Sequence, residues 1–140
     1  MIDPKDYDVP SQFRHWPGDL AEDRVGPFFF YIKDGVVYSA FRLRAEHCNS
    51  HQSAHGGILM MFADYSLCIA ANEGKEVSVA TVSCNNEFVG PAYAGDLLCG
   101  RAEVSRRGGS LIFARVQLSV NDSLVLNASG VIKRLRSKQP

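Results

Sequence analysis

A largely apolar stretch at residues 55–74 separates two regions of the chain in which apolar and polar residues alternate. The stretch consists mostly of good helix-forming residues and is too long for a strand, so it predicts a helix with Gly74 as its C-cap. Its apolar residues show almost no helical period, which is typical of a helix that is buried on every side. A sheet, or a sheet together with a partner subunit, is therefore expected to cover it.

Both regions that flank this helix predict antiparallel strands. Before it, the aromatic run 28–32 and the alternating run 36–44 enclose a Lys-Asp-Gly turn and predict a β-hairpin. In the first strand after the helix, the alternation places Thr81 on the face opposite Ala80 and Val82. The predicted strands after the helix cover residues 77–89, 97–106, 111–120 and 124–135.

Strands on both sides of a single helix, without a repeated βαβ unit, predict an α+β fold. We expect one domain over residues 27–136, in which a six-stranded antiparallel sheet wraps one long buried helix. Residues 1–26 are rich in Asp, Pro, Arg and Gly and predict an N-terminal arm that packs through Phe13 and Trp16. Residues 137–140 predict a frayed tail. The open face and edges of the sheet remain for oligomerisation.

Composition excludes several classes of protein. The 140 residues fit a single domain, and 15 basic against 15 acidic side chains argue against nucleic-acid binding. No run reaches the roughly 20 apolar residues of a membrane span, and the first residues lack the pattern of a signal peptide, so we expect a cytoplasmic protein. The cysteines form no C-x-x-C pair and are expected to be small buried hydrophobes: Cys48, Cys68, Cys84 and Cys99.

One charged residue interrupts the predicted helix. Nine of the eleven residues from 58 to 68 are apolar or aromatic, and Asp64 lies in their middle. An ionised carboxylate there costs several kcal/mol unless it is hydrogen-bonded or meets a wet cleft. Two hypotheses follow: a structural aspartate bonded to a neighbouring strand, or a general base or nucleophile at a cleft.

The second candidate is the run His55-Gly56-Gly57 at the start of the helix. It predicts uncovered N–H groups that could stabilise an oxyanion, or else a tight turn that needs glycine. Gly57 and Asp64 are seven residues apart, so they share a helix face about 10 Å apart along the axis. Both groups would have to lie about 3 Å from one carbonyl. An enzyme that uses both must therefore build its site from two antiparallel copies.

Two weaker patterns complete the candidates. His47, His51 and His55, with Cys48 beside them, suggest zinc, but the fixed spacing of a structural zinc site is absent. Basic residues cluster at one predicted hairpin tip and near the C-terminus. They form either a solvated face or a contact for the phosphates of a nucleotide-like ligand. These basic residues are Arg106, Arg107, Lys133, Arg134 and Arg136.

Three short runs together resemble a known family. His47-Cys48-Asn49, His55-Gly56-Gly57 and Phe62-Ala63-Asp64 resemble the hotdog-fold acyl-CoA thioesterases of the phenylacetate-degradation PaaI type. The similarity extends over most of the chain, although Gln52 stands where the family often has glycine. Further matching runs are Gly26-Pro27-Phe28, residues 88–92, Gly95-Asp96 and residues 108–114.

This resemblance implies hydrolysis of an acyl-CoA thioester at the interface of a dimer with a continuous sheet, usually within a dimer of dimers. It implies no cofactor, since coenzyme A is part of the substrate. By position, Asp64 matches the catalytic carboxylate, and Gly57 matches the residue whose N–H polarises the thioester carbonyl. Asn49 matches a residue near that carbonyl, His55 shapes the same loop, and Thr81 matches the residue that holds the attacking water. Arg106, Arg107 and Lys133 are the expected contacts for the CoA phosphates.

Two rival functions remain open at this point. A hydroxyacyl-thioester dehydratase on the same fold would use a histidine with an acidic residue, but here the histidine precedes Gly-Gly. A non-catalytic acyl-CoA-binding module would not need Asp64 within an apolar helix. Whether Asp64 acts as a base or as a nucleophile is also left open by the sequence.

Overall fold

One 17-residue helix packs on a seven-stranded antiparallel sheet in the computed structural model, which describes residues 1–136. The predicted frayed tail lies outside the described residues. The predicted α+β architecture is confirmed, with one strand more than expected. The strands are β1 (Arg14–His15), β2 (Phe29–Lys33), β3 (Val36–Arg42), β4 (Val79–Phe88), β5 (Leu97–Arg107), β6 (Leu111–Val120) and β7 (Ser123–Arg134), in the order β1-β2-β3-β5-β6-β7-β4. The helices are α1 (Leu20–Val25) and α2 (Gly56–Asn72), with 3-10 turns at Pro4–Tyr7 and Ala45–His47.

The additional strand comes from the N-terminal arm. β1 pairs with β2 through only two residues, too few to leave an alternating pattern in the sequence. Val9 and Phe13 of the arm pack with Phe29 and Ala40 in a small apolar cluster separate from the main core. α1 follows β1 and is capped by Asp19, whose side chain accepts a hydrogen bond from the Glu22 N–H at 2.9 Å. The arm is therefore an ordered part of the sheet's edge.

Helix α2 is buried against the sheet on most of its surface, but not on all of it. Gly57, Met60, Met61, Asp64 and Cys68 recur at helical spacing and keep partial exposure, with Met60 38% exposed. We call these five residues the α2 stripe. The prediction of burial on every side is wrong for this stripe in a single copy of the chain, where the described residues cover it only in part. Within residues 1–136, no helix is long and apolar enough to cross a membrane.

The end of α2 also differs from the prediction by one residue. Glu73 is the C-cap, in the left-handed conformation with φ 59°, and Gly74 follows with φ 69°. The Gly74 N–H donates to the Ile69 carbonyl at 3.3 Å, and the Asn72 side chain accepts from the same N–H at 2.8 Å. Glycine is thus still required just past the helix, as is usual at a C-terminal cap.

Strand β4 lies at the edge of the sheet and contains a bulge. Its register with β7 shifts between Thr81 and Ser83, so Val82 is the extra residue. A bulge reverses the alternation of faces beyond it. Thr81 points towards α2, while Ala80 and Val82 on the opposite face are exposed, Val82 by 59%, as the alternation predicts. Beyond the bulge, Cys84 packs against the core on the same side as Thr81.

A pair of buried serines joins α2 to the centre of the sheet. Ser39 Oγ of β3 and Ser66 Oγ of α2 lie 2.7 Å apart, and Ser66 Oγ also donates to the Phe62 carbonyl at 2.9 Å. Both serines are fully buried. Gly100 of β5 leaves the space for this pair, because a Cβ there would lie 2.1 Å from Ser39 Oγ.

We expect Gly100→Ala to lower the free energy of unfolding by about 2–4 kcal/mol, because the new methyl group must displace a buried hydrogen-bonded hydroxyl. Urea unfolding measures this change. Gly109→Ala is the matched control, since nothing lies within 4 Å of a Cβ at that position. The control should change stability by no more than about 0.5 kcal/mol. Equal effects of the two substitutions would contradict this account of Gly100.

Candidate active site

The carboxylate of Asp64 is held by side chains from α2 and β4. The Thr81 hydroxyl donates a short hydrogen bond to Asp64 Oδ1, and Cys68 Sγ lies 3.8 Å from the same oxygen. Cys68 Sγ and Thr81 Oγ1 are themselves 3.4 Å apart. Among the described residues nothing donates to Asp64 Oδ2. The carboxylate is thus oriented through one oxygen and keeps the other for a ligand.

Strand β4 presents Thr81 on its face towards α2. Val79 before it packs against the core, whereas Ala80 and Val82 are exposed. The bulge at Val82 brings Cys84 onto the same side as Thr81, although the two residues are three positions apart. Thr81 therefore lies beside the candidate carboxylate.

The thiol of Cys68 is not an alternative nucleophile. Burial, followed by the nearby Asp64 carboxylate, raises the pKa of Cys68 to about 12. A thiol acts as a nucleophile in its thiolate form, which is scarce here at neutral pH. Cys68 is half-buried, as are Cys48 and Cys84, whereas Cys99 is exposed, contrary to the expectation of burial.

Asp64 opens into a cleft of about 410 Å³ between α2, the start of β4 and the N-terminal arm. We call it the acid cleft, because four of its thirteen lining residues carry a carboxyl group. The lining residues are Trp16, Asp19, Glu22, Asp64, Tyr65, Cys68, Ile69, Asn72, Glu76, Val77, Ser78, Val79 and Thr81. The arm thus supplies one wall of the cleft that contains the candidate catalytic residue.

Two groups in the acid cleft are electrostatically unusual. Burial, with the charges of Asp19, Asp64 and Asp23, raises the pKa of Glu22 to about 8. Tyr65 is 3% exposed, and its hydroxyl is buried without a hydrogen-bond partner. Burial, with the Glu22 charge next in size, also raises the pKa of Tyr65. A buried unpartnered hydroxyl is costly, so its presence beside a cleft marks a position for a ligand group.

The start of α2 is more occupied than the sequence predicts. His55 is the N-cap, and its Nδ1 accepts a hydrogen bond from the Gly57 N–H at 2.9 Å. The expectation of an uncovered donor at Gly57 is therefore wrong in this state, because the imidazole satisfies it. Neither Gly56 nor Gly57 has a positive φ. Space explains both glycines: a Cβ at Gly56 would lie 3.0 Å from the Phe88 ring, and one at Gly57 would lie 3.1 Å from the His55 imidazole.

Asn49 lies on the loop before α2, away from Asp64. Its Oδ1 accepts from the His51 N–H at 2.9 Å, the Ser53 N–H at 3.3 Å and the Ser53 hydroxyl at 3.4 Å. The amide oxygen therefore holds the loop, and the Nδ2 group is the donor that a ligand can use. Asn49 lines a separate cleft with Tyr93 and does not line the acid cleft.

The histidines of the zinc hypothesis have other roles. His47 is 3% exposed; its Nδ1 accepts from the Arg44 N–H at 2.8 Å, and its Nε2 donates to the Val25 carbonyl at 2.6 Å. This one-donor, one-acceptor arrangement is that of a neutral imidazole, and burial lowers the pKa of His47 accordingly. Both ring nitrogens are used, so His47 is not available to a metal. No cluster of metal-ligating side chains occurs within residues 1–136.

The three basic residues expected near CoA do not form one group. Arg107 donates to the Ala71 carbonyl at 2.9 Å and the Ala70 carbonyl at 3.4 Å, at the C-terminal end of α2. Arg106 and Lys133 are exposed and lie across the sheet from Phe113 and Leu111, on the face opposite α2. Arg107 therefore caps the helix, and only Arg106 and Lys133 have free guanidinium or ammonium groups.

Comparisons with known proteins show the family of this chain. Residues 51–126 match the model of the Thioesterase superfamily, which spans more than half of the chain. The chain is also 35% identical over 112 residues to a putative esterase of Pseudomonas aeruginosa, covering 78% of this chain and 84% of that protein. The protein therefore belongs to the thioesterase superfamily.

A further relative, PaaI of Escherichia coli, matches both in sequence and in its solved structure. Acyl-coenzyme A thioesterase PaaI of Escherichia coli is 30% identical over 93 residues, which cover 66% of each chain. The solved structure of the E. coli PaaI protein from the phenylacetic acid degradation operon superposes with a TM-score of 0.78 at 23% identity, over 86% of this chain and 88% of that chain. The family predicted from the three runs is confirmed, and with it the hotdog fold.

The interpretation of the sequence missed the residues that line the acid cleft from the arm. Glu22 and Trp16 are far from Asp64 along the chain. No local sequence pattern shows that an acidic residue of the short polar helix α1 lies next to the long apolar helix α2. The ring of Tyr65 packs between Phe28 and Phe62, as expected for an aromatic residue of a buried helix. The position of its hydroxyl beside the cleft could not be predicted, because periodicity carries no information on a single atom.

The raised pKa of Glu22 predicts a pH dependence of stability. Between its ordinary value of 4.5 and about 8, the folded protein holds a proton that the unfolded chain releases, so the free energy of unfolding falls as the pH rises. Glu22→Gln removes this dependence. We expect the variant to gain on the order of 1–2 kcal/mol relative to the wild type between about pH 5 and pH 8, a modest amount because solvent screens this partly exposed carboxyl.

Urea unfolding of both proteins at fixed pH values measures this difference. A constant difference across the same pH window would contradict the assignment of the raised pKa to Glu22.

Proposed function

We propose that this thioesterase hydrolyses an acyl-CoA to the free acid and CoA, at a site that two copies of the chain build together. The observation that carries the proposal is Asp64, a carboxylate kept at the exposed stripe of an apolar helix, oriented by Thr81 and open to a cleft. A purely structural aspartate would not need the cleft. The family to which the chain belongs supplies the thioester chemistry.

The reaction assigns one task to each group around Asp64. With Oδ1 held by Thr81, Oδ2 takes a proton from water, the water oxygen bonds to the thioester carbon, and the C–S bond breaks. The proton ends on the departing CoA sulfur. In the alternative route Oδ2 attacks the carbonyl carbon itself, the C–S bond breaks, and CoA leaves as the thiolate. Water then cleaves the resulting anhydride, which gives the free acid and the Asp64 carboxylate, and the proton of the water ends on the CoA sulfur. Both routes require the ionised carboxylate, so loss of its charge tests both.

The carbonyl oxygen needs a hydrogen-bond donor, which we assign to the Gly57 N–H of the second copy. Gly57 and Asp64 lie on one helix, about 10 Å apart along its axis, so they cannot meet at one carbonyl within one chain. The substrate oxygen would replace His55 Nδ1 as the acceptor of the Gly57 N–H. We assign Asn49 as a second donor to the same carbonyl oxygen. It lies on the loop before α2, and its Nδ2 group donates to no other described residue.

The surfaces of a single copy support this shared site. Within residues 1–136, β4 pairs only with β7, and its other edge has no strand partner. The α2 stripe runs alongside: Gly56 packs on Phe88, while Asp64 and Cys68 contact Thr81. Pairing of two β4 edges would continue the sheet, cover both stripes and set two α2 helices antiparallel. We propose a dimer of this form, assembled into a dimer of dimers.

Binding of CoA is assigned to the exposed basic residues of the outer face. Arg106 and Lys133 are available for its phosphates, whereas Arg107 is bonded to the end of α2. No cofactor is required, because CoA arrives as part of the substrate. We place the reaction in the cytoplasm, where acyl-CoA is available.

We expect Asp64→Asn to lower kcat by about 10²- to 10⁴-fold, because the amide cannot accept the proton or attack the carbonyl. Release of CoA thiol from short, medium, long-chain and aryl-acyl CoAs measures the loss, and gel filtration shows whether the oligomer is intact. Glu103→Gln removes a carboxylate on the outer face, paired with Arg115 at 2.8 Å, and should leave kcat unchanged.

An unchanged kcat in Asp64→Asn would contradict the proposed role. Incubation with a 2-enoyl-CoA separates the dehydratase alternative, since hydration without release of thiol would identify that reaction instead.

A further inference from the structure

The acid cleft contains more carboxyl groups than hydrolysis requires. Besides Asp64, its walls carry Asp19 and Glu22 from the arm and Glu76 from the segment before β4. None of the thirteen lining residues is Lys, Arg or His. Arg14 of the arm lies over the Phe30 ring at 4.7 Å and lines a neighbouring cleft. No basic side chain therefore lines the acid cleft beside its carboxyl groups.

The buried hydroxyl of Tyr65 indicates that the cleft receives a polar group. Its side chain is 3% exposed, lines the acid cleft and has no hydrogen-bond partner within the described residues. Phe28 and Phe62 pack against its ring and fix it in place. A hydroxyl oxygen held in this way is an acceptor for an N–H or O–H group that enters the cleft.

The state of Glu22 is consistent with a missing positive charge. Burial and its acidic neighbours raise the pKa of Glu22 to about 8, so this carboxyl retains a proton at neutral pH. The proton reduces the repulsion between neighbouring carboxylates. An ammonium group in the same place would do so as well, and Glu22 would then release its proton and bind the ammonium as a carboxylate. The ring of Trp16 on the same wall adds a favourable face for a cation.

We propose that the acid cleft binds the acyl part of the substrate and selects acyl groups that carry a protonated amine, with Glu22 and Tyr65 as the specificity-determining residues. This inference rests on the proposed function, since it assumes that Asp64 at the mouth of the cleft meets the thioester. The ammonium N–H groups donate to the Glu22 carboxylate and to Tyr65 Oη. Acyl groups that end in a carboxylate are repelled by the same charges.

A neutral hydroxyl-bearing acyl group is the main competitor. Its hydroxyl would donate a hydrogen bond to Tyr65 Oη, and it could accept a hydrogen bond from protonated Glu22. It would leave the charges of Asp19, Asp64 and Glu76 unbalanced, however, and it would give no reason for three further carboxyl groups around the site. The charge of the cleft therefore favours the ammonium.

Hydrolysis of acyl-CoAs that match in length and differ in the terminal group tests this proposal. One set is butanoyl-, 3-hydroxypropanoyl-, 3-aminopropanoyl- and succinyl-CoA, and the longer set is heptanoyl-, 6-hydroxyhexanoyl-, 6-aminohexanoyl- and pimeloyl-CoA. We expect kcat/KM for the amine to exceed that for the methyl and hydroxyl members by about tenfold or more in at least one set, with the carboxylate slowest. Reactions without enzyme correct for spontaneous loss of the amines.

Variants assign the preference to its residues. Glu22→Gln and Tyr65→Phe should each lower the ratio of kcat/KM for the amine to that for the methyl member by about fivefold or more, whereas Glu103→Gln should leave the ratio unchanged. A preference for the methyl or hydroxyl member in both sets overturns the proposal, as does a preference for the amine that survives in both variants. If no member of either set is hydrolysed while another acyl-CoA of the wider panel releases thiol, this inference fails alone. If no acyl-CoA releases thiol, the proposed function fails as well.

Discussion

The structure around the candidate site depends on one hydrogen bond, from the Thr81 hydroxyl to the Asp64 carboxylate. An ionised side chain on an apolar helix is tolerated only if it is oriented and reaches polar surroundings. Thr81, on the face of β4 that is turned towards α2, supplies the orientation, and the acid cleft supplies the polar surroundings. The same edge strand that holds Asp64 is the one whose outer edge is unpaired, so the carboxylate lies next to the surface that a second copy would cover.

Most of the architecture was predictable because it follows from local patterns. The apolar run that became α2 and the alternating runs that became β5, β6 and β7 deviate from the structure by a few residues at their ends. Asp64 was identified because a charge among apolar residues is conspicuous. What could not be predicted depends on contacts between distant segments or on single residues: the pairing of β1, the extra residue Val82, and the bond from the Gly57 N–H to His55.

The N-terminal arm links the fold to selectivity. In the sequence it is a polar segment with two aromatic residues, but in the structure it extends the sheet and places Trp16, Asp19 and Glu22 along the cleft that begins at Asp64. In the proposed function the chemistry lies with α2 and β4, and the choice of acyl group is assigned to the arm. A division of this kind allows the acyl preference to change without any change at Asp64.

Complementation between two inactive variants tests the shared site most directly. Asp64→Asn lacks the carboxylate, and Gly57→Pro lacks the N–H donor, so each alone should be nearly inactive. After subunit exchange, verified by native mass spectrometry, random mixing makes half of the dimers mixed, and each mixed dimer has one intact site of two. The account predicts a return of about a quarter of wild-type activity. A mixture that is no more active than its two components would show that Gly57 and Asp64 do not act on one thioester across two chains.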